Sequence, residues 1–164
     1  MNIPTTQQCL ELLRSNNTPR NIIEHCQAVS AFAVSLAEKL EKKGVRLNKR
    51  LVEAAALLHD IEKLKLHHIK AGYDFILSHG YPEVAETVKT HGLENLNDPS
   101  FVPTTIEQKI VFYSDKRIHN TATVPLKQRF DYIRKRYNTP EIEHDFMIAQ
   151  EFERELTLLL GEQL

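Results

Sequence analysis

The chain has 164 residues, 41% hydrophobic and 26% charged, with a formal net charge of −1. That length suits a single domain with a sizeable core, and the composition argues against disorder and against a broadly basic nucleic-acid-binding field. No apolar run approaches membrane-spanning length, and two cysteines, Cys9 and Cys26, are too few for a disulfide scaffold, whereas histidine is frequent at eight.

The opening stretch, "MNIPTTQQCLELL", has no basic region before an apolar core, so no signal peptide is read and a cytoplasmic location is expected. A short helix is predicted from Thr6 to Ser15, with Cys9, Leu10 and Leu13 on one side. "NNT" breaks it. Thr18-Pro19 then reads as an N-cap followed by proline at the first helical position. The second helix runs to about Lys43, with Gly44 as a left-handed cap. Its apolar positions Ile22, Cys26, Val29, Ala33, Leu36 and Leu40 recur in steps of three and four and make one face. Asn48 starts a third helix that carries "AALLHDIEK". A fourth spans roughly His67 to Ser78 and stops near Gly80. Pro82 opens a fifth, closed by Gly92. After the loop "LENLNDPSFVP", Thr104 and Glu107 form a capping-box pattern for a sixth, through about Ile118. Pro125 opens another, ending near Tyr137. Thr139-Pro140 opens the last, with Phe146, Ala149, Phe152, Leu156 and Leu159 or Leu160 facing inward. No segment alternates with period two. The predicted class is all-α: a compact helical bundle, one domain over residues 1–164, with helices from 124 to 160 packed on the rest.

Several polar residues fall on the buried faces. His25 lies in the inward stripe, three after Ile22 and four before Val29. Alone, it is either a core histidine satisfied by a hydrogen bond or a ligand. His59-Asp60 ends the apolar run Ala54–Leu58, although adjacent helical residues point about 100° apart. They flank a common point only where a helix presents its rim to a cavity. Otherwise the pair is a helix end turning to solvent, with Lys63 partnering Asp60. His68 is four residues before Gly72, a position that lets another backbone come close. His91 extends the face of Val84 and Val88, and Asp115 falls near that of Ile110 and Val111. His79, His119 and His144 read as surface residues. Four histidines and two aspartates thus sit on or beside buried faces of separate helices. Buried charges need a partner, and imidazole with carboxylate suits first-row transition metals.

In chain order, His25, His59-Asp60 and Asp115 resemble the H…HD…D signature of the HD-domain superfamily of metal-dependent phosphohydrolases. "LLHDIEK" is similar to its HDIG-type variant, with Glu62 where glycine is usual. The resemblance covers about Pro19 to Arg117. It implies that His25, His59, Asp60 and Asp115 hold one divalent cation. Asp60 would bridge to a second held by His68 and His91. Iron, manganese, nickel, cobalt or zinc would suit these ligands, with magnesium also possible. The implied reaction is hydrolysis of a small phosphorylated molecule by metal-activated water, as a phosphomonoesterase, phosphodiesterase or nucleotide pyrophosphohydrolase. Asp60 and Lys63 are the candidate catalytic residues. A nucleotide or dinucleoside polyphosphate is the expected substrate, with no nucleic-acid or membrane partner.

Phosphate needs cations nearby. Lys63, one turn after His59, either reaches the substrate or pairs with Asp60 or Glu62. Of Lys116 and Arg117, arginine grips phosphate bidentately and is the preferred candidate, the alternative being a solvated helix face. The loop from Leu93 to Pro103 follows a proposed ligand and either borders the pocket or only connects helices. Two further function classes stand beside the hydrolase: a catalytically silent metal-binding regulatory module, and a purely structural helical protein.

Overall fold

The computed structural model describes all 164 residues, with eight α-helices, a short 3-10 helix at Pro99–Phe101 and one hairpin of two-residue strands. Helix α1, Thr6–Ser15, starts from a capping box in which Thr5 and Gln8 satisfy each other's backbone N–H groups. Helix α2, Arg20–Lys42, buries Ile22, Cys26, Val29, Ala33, Leu36 and Leu40 along the face expected from their spacing. Pro19 rather than Thr18 occupies its N-cap position. Gly44 follows the helix at φ +86°, the left-handed conformation that glycine adopts without a Cβ penalty.

Helix α3, Lys49–Leu58, is capped by Asn48 and buries seven of its ten residues. A helix apolar nearly all round must lie at the centre of a fold, and α3 packs against α1, α2, helix α5 (Pro82–Lys89) and helix α6 (Ile106–Arg117). Between them, helix α4, His68–Ser78, pairs with α5. Each fully buried leucine or isoleucine here, such as Leu58 or Ile110, contributes about 1.5–3 kcal/mol. No helix is long and apolar enough to cross a membrane.

Three details differ from the sequence reading. The cap of α6 is Thr105 with Gln108, not Thr104 with Glu107. Glu107 instead accepts a hydrogen bond from the Asn48 backbone at 2.8 Å, tying the start of α6 to the start of α3. The chain then makes an antiparallel hairpin, β1 (Ile118–His119) with β2 (Ala122–Thr123), turned by Asn120 at φ +56°. Two-residue strands are too short to show alternation. Helix α7, Leu126–Tyr137, follows Pro125 as expected, but helix α8 begins at Ile142 rather than beside Pro140. In α8 Leu160 is the inward residue, and Leu159 is 39% exposed.

Candidate metal centre

The helical run of α3 ends at Leu58, so His59 and Asp60 form its rim and turn toward the space between α2, α4, α5 and α6. Adjacent residues diverging by about 100° can thereby serve two neighbouring points. The turn is held from the α1–α2 junction, where Asn16 and Thr18 both donate to the carbonyl of Ile61, at 3.0 and 3.3 Å. That is the role of Thr18, in place of the helix cap its sequence position suggested.

Two clusters of donor atoms meet at this rim. His25, His59 and Asp115 form one, and Asp60, His68 and His91 the other, with the atoms of each cluster within 4.8 Å of one another. In the first, Asp115 Oδ1 lies 3.2 Å from His25 Nε2 and 3.5 Å from His59 Nε2. In the second, Asp60 Oδ1 lies 3.4 Å from His91 Nε2 and 3.9 Å from His68 Nε2. Asp60 Oδ2 faces the other way, 3.6 Å from His59 Nε2. One carboxylate therefore addresses both clusters through different oxygens.

The imidazoles are set by their far nitrogens. Nδ1 of His25 donates to the carbonyl of Asn120 at 2.7 Å, that of His59 to Ala56 at 2.8 Å, and that of His91 to Val88 at 2.6 Å. A carbonyl only accepts, so each Nδ1 carries a proton and each ring turns its Nε2 inward. Backbone carbonyls orient metal-bound histidines in this way. His59 Nε2 is buried without a hydrogen bond. An orphaned buried nitrogen is costly, and among oxygens and imidazoles a divalent cation is the partner that satisfies it. The residues present thus fit the cation that their chemistry implies.

The charges agree with this. Burial opposes protonation of His59, but Asp60 foremost, then Cys26 and Asp115, outweigh it and hold its pKa well above the usual value. Burial alone would raise Asp60 and Asp115. Asp60 is nevertheless held far below the usual range, chiefly by His59, and Asp115 likewise, chiefly by Lys116. Burial depresses the pKa of His91 and takes that of His68 down to about 4, with Lys63 adding to the effect on His68. A protonated His59 thus substitutes for a cation between two carboxylates.

All six candidate ligands come together, and Lys63 stands beside them, its Nζ 3.2 Å from Asp60 Oδ1. Arg117 does not join them. Its guanidinium is taken up by Tyr113 Oη and by the carbonyl of Val124 at 2.8 Å, away from both clusters. Lys116 is the cation at the centre instead, buried against Asp115 Oδ2 and donating to the His91 carbonyl at 2.9 Å. Glu62 is buried and paired with Lys65 at 2.9 Å, and it belongs to neither donor cluster. The Leu93–Pro103 loop borders the second cluster through Glu94, 3.6 Å from His68 Nδ1. At Gly72 an added Cβ would make only ordinary contacts, at 3.9 Å. The close approach expected there occurs at Gly92, where a Cβ would fall 2.1 Å from Ile69 Cδ1. His79 and His144 are exposed as read, while His119 is half-buried, its ring 4.3 Å from that of Tyr132. Asn120, whose carbonyl orients His25, was missed, since no side-chain pattern marks a backbone contact.

The HD domain family model matches residues 22–120. An uncharacterised protein of Methanocaldococcus jannaschii is 30% identical over 161 residues, covering 88% of this chain and 95% of that protein. Two tRNA (cytidine(56)-2'-O)-methyltransferases are also similar. That of Picrophilus torridus is 29% identical, covering 99% of this chain and 49% of its own. That of Thermoplasma volcanium is 30% identical, covering 82% of this chain and 42% of its own. The chain thus spans only about half the length of these two proteins. No solved structure matches. The chain belongs to the HD domain family, a superfamily of metal-dependent phosphohydrolases.

Proposed function

We propose that the chain hydrolyses a small phosphorylated molecule, a nucleotide or dinucleoside polyphosphate, with two divalent cations held on either side of Asp60. The observation that carries this reading is the split of one carboxylate between two histidine clusters. His25, His59, Asp60 and Asp115 would hold the first cation, and Asp60, His68 and His91 the second. When bound, such cations activate water and neutralise charge on the phosphoryl oxygens.

The chain's own residues supply the rest. Asp60, held ionised, acts as a shared ligand and has no proton to offer. Lys63 is the cation at the rim, its side chain 44% exposed and placed to turn from Asp60 to an arriving phosphate. Lys116 is fixed, linking Asp115 of one cluster to the backbone of His91 in the other. Carbonyl acceptors keep His25, His59 and His91 in one tautomer and one orientation. Phosphate release across a panel of nucleotides with added Mn²⁺, Fe²⁺, Ni²⁺ or Mg²⁺ tests the proposal. Asp60→Ala should abolish release and lose cation binding together. Protein that binds none of these cations would refute it.

The methyltransferase relatives favour a second reading. There the chain would be a regulatory HD module that works beside a tRNA-modifying domain and performs no turnover. Two bound cations with no phosphate release from any substrate would decide for that module.

A further inference from the structure

Helix α7 begins beyond the family-matched residues and carries five basic residues against one acidic, in a chain whose net charge is −1. Leu126, Phe130 and Ile133 fix it to the core. Asp131 takes up Lys127 at 2.8 Å, and Glu143 takes up Arg134 at 2.5 Å. Arg129 and Arg136 have no carboxylate partner, and Arg129 Nε is buried without a hydrogen bond. A partly buried guanidinium left unpaired is costly unless an anion comes to it.

These arginines alternate with aromatic rings. The Arg129 guanidinium lies 5.6 Å from the ring centre of Tyr132, and that of Arg136 lies 5.6 Å from Tyr137. Arg136 Nη1 donates to Tyr132 Oη at 3.2 Å, joining the two pairs. Tyr132 and Tyr137 are 36% and 61% exposed, so ring surface remains open. The ladder stands beside the metal centre. The Tyr132 ring packs on His119 at 4.3 Å, and the next residue, Asn120, accepts the hydrogen bond from His25. From Arg129 to Tyr137 the helix advances about 12 Å.

We infer that the Arg129–Tyr132–Arg136–Tyr137 ladder of α7 is the nucleotide-recognition surface of this centre, with phosphate on Arg129 and the base stacked on Tyr132. Arginine with aromatic rings suits that ligand, because every base has a π-face and every phosphate accepts from a guanidinium. The inference rests on the phosphohydrolase reading and assigns its substrate side to a helix outside the family-matched region.

The test is equilibrium binding to the Mn²⁺-loaded protein of α,β-methylene-ADP and of methylenediphosphonate, which has the same anion without a nucleoside. Wild-type protein should bind the nucleotide more tightly. Tyr132→Leu should weaken nucleotide binding about 5- to 150-fold and leave methylenediphosphonate unchanged. Arg129→Met should weaken both ligands about 10- to 100-fold. Arg136→Gln, at an exposed position, should weaken nucleotide binding in the same direction as Tyr132→Leu. All three variants binding the nucleotide within twofold of wild type would overturn the inference, as would equal wild-type affinity for the two ligands. Phosphate release from a nucleotide with binding unmoved by these variants would sink the ladder alone. Weakened nucleotide binding without release from any substrate would support the ladder and sink the hydrolase.

Discussion

Binding of the first cation should expel one proton, and binding of the second none. At pH 7 His59 is protonated, because Asp60 foremost, with Cys26 and Asp115, outweighs its burial, and that proton occupies the Nε2 that a cation would take. Asp60 and Asp115 are ionised, while His68 at about 4 and His91 below its usual value are neutral. The second cluster therefore has no proton to lose. First-cation affinity should rise about tenfold per pH unit up to the pKa of His59, or about 1.4 kcal/mol per unit. Second-cation affinity should be flat near neutrality. Calorimetric titration with Mn²⁺ at pH 7, repeated in buffers of different ionisation enthalpy, counts the protons at each step. Two binding steps with no proton released, or with equal release at both, would refute the charge assignment.

Stability of the metal-free chain should peak near pH 6.5. The raised pKa of His59 stabilises fully below its unfolded value of 6.5, and that stability is lost as pH rises through the folded value. The lowered pKa values of His68 and His91 remove stability as pH falls below 6.5, since only the unfolded chain then gains those protons. Denaturant midpoints across pH 5–9 check this, and a monotonic profile would contradict it. His91→Ala should reduce cation stoichiometry from two toward one, and unchanged stoichiometry would show that the second cluster is misassigned. Gly72→Ala should raise stability by about 1 kcal/mol, because its Cβ has room and alanine favours a helix. Gly92→Ala should instead displace Ile69, next to His68, and weaken the second cation more than the first; melting curves and Mn²⁺ titration separate the two glycines.

The helices were legible because steps of three and four place Ile22, Cys26, Val29 and Ala33 on one face, which burial enforces. His25 and Asp115 could be singled out because they interrupt such faces with groups that need partners. Arg117 and Lys116 could not be ranked. Both follow Asp115, and only the packing of Phe112, Tyr113 and Val124 decides which side chain turns inward. Thr18 and Asn120 act through backbone carbonyls far away in the chain, a relation that local pattern does not encode. Burial of Glu62 with Lys65 likewise arises from the irregular turn after α3, where no period applies.

The most direct measurement is a crystal structure of the chain grown with Mn²⁺, with anomalous scattering used to locate the cation. Two peaks should appear on either side of the Asp60 carboxylate. One should lie among His25, His59 and Asp115, and the other between His68 and His91. A single peak away from Asp60, or none at saturating Mn²⁺, would contradict the two-cation centre.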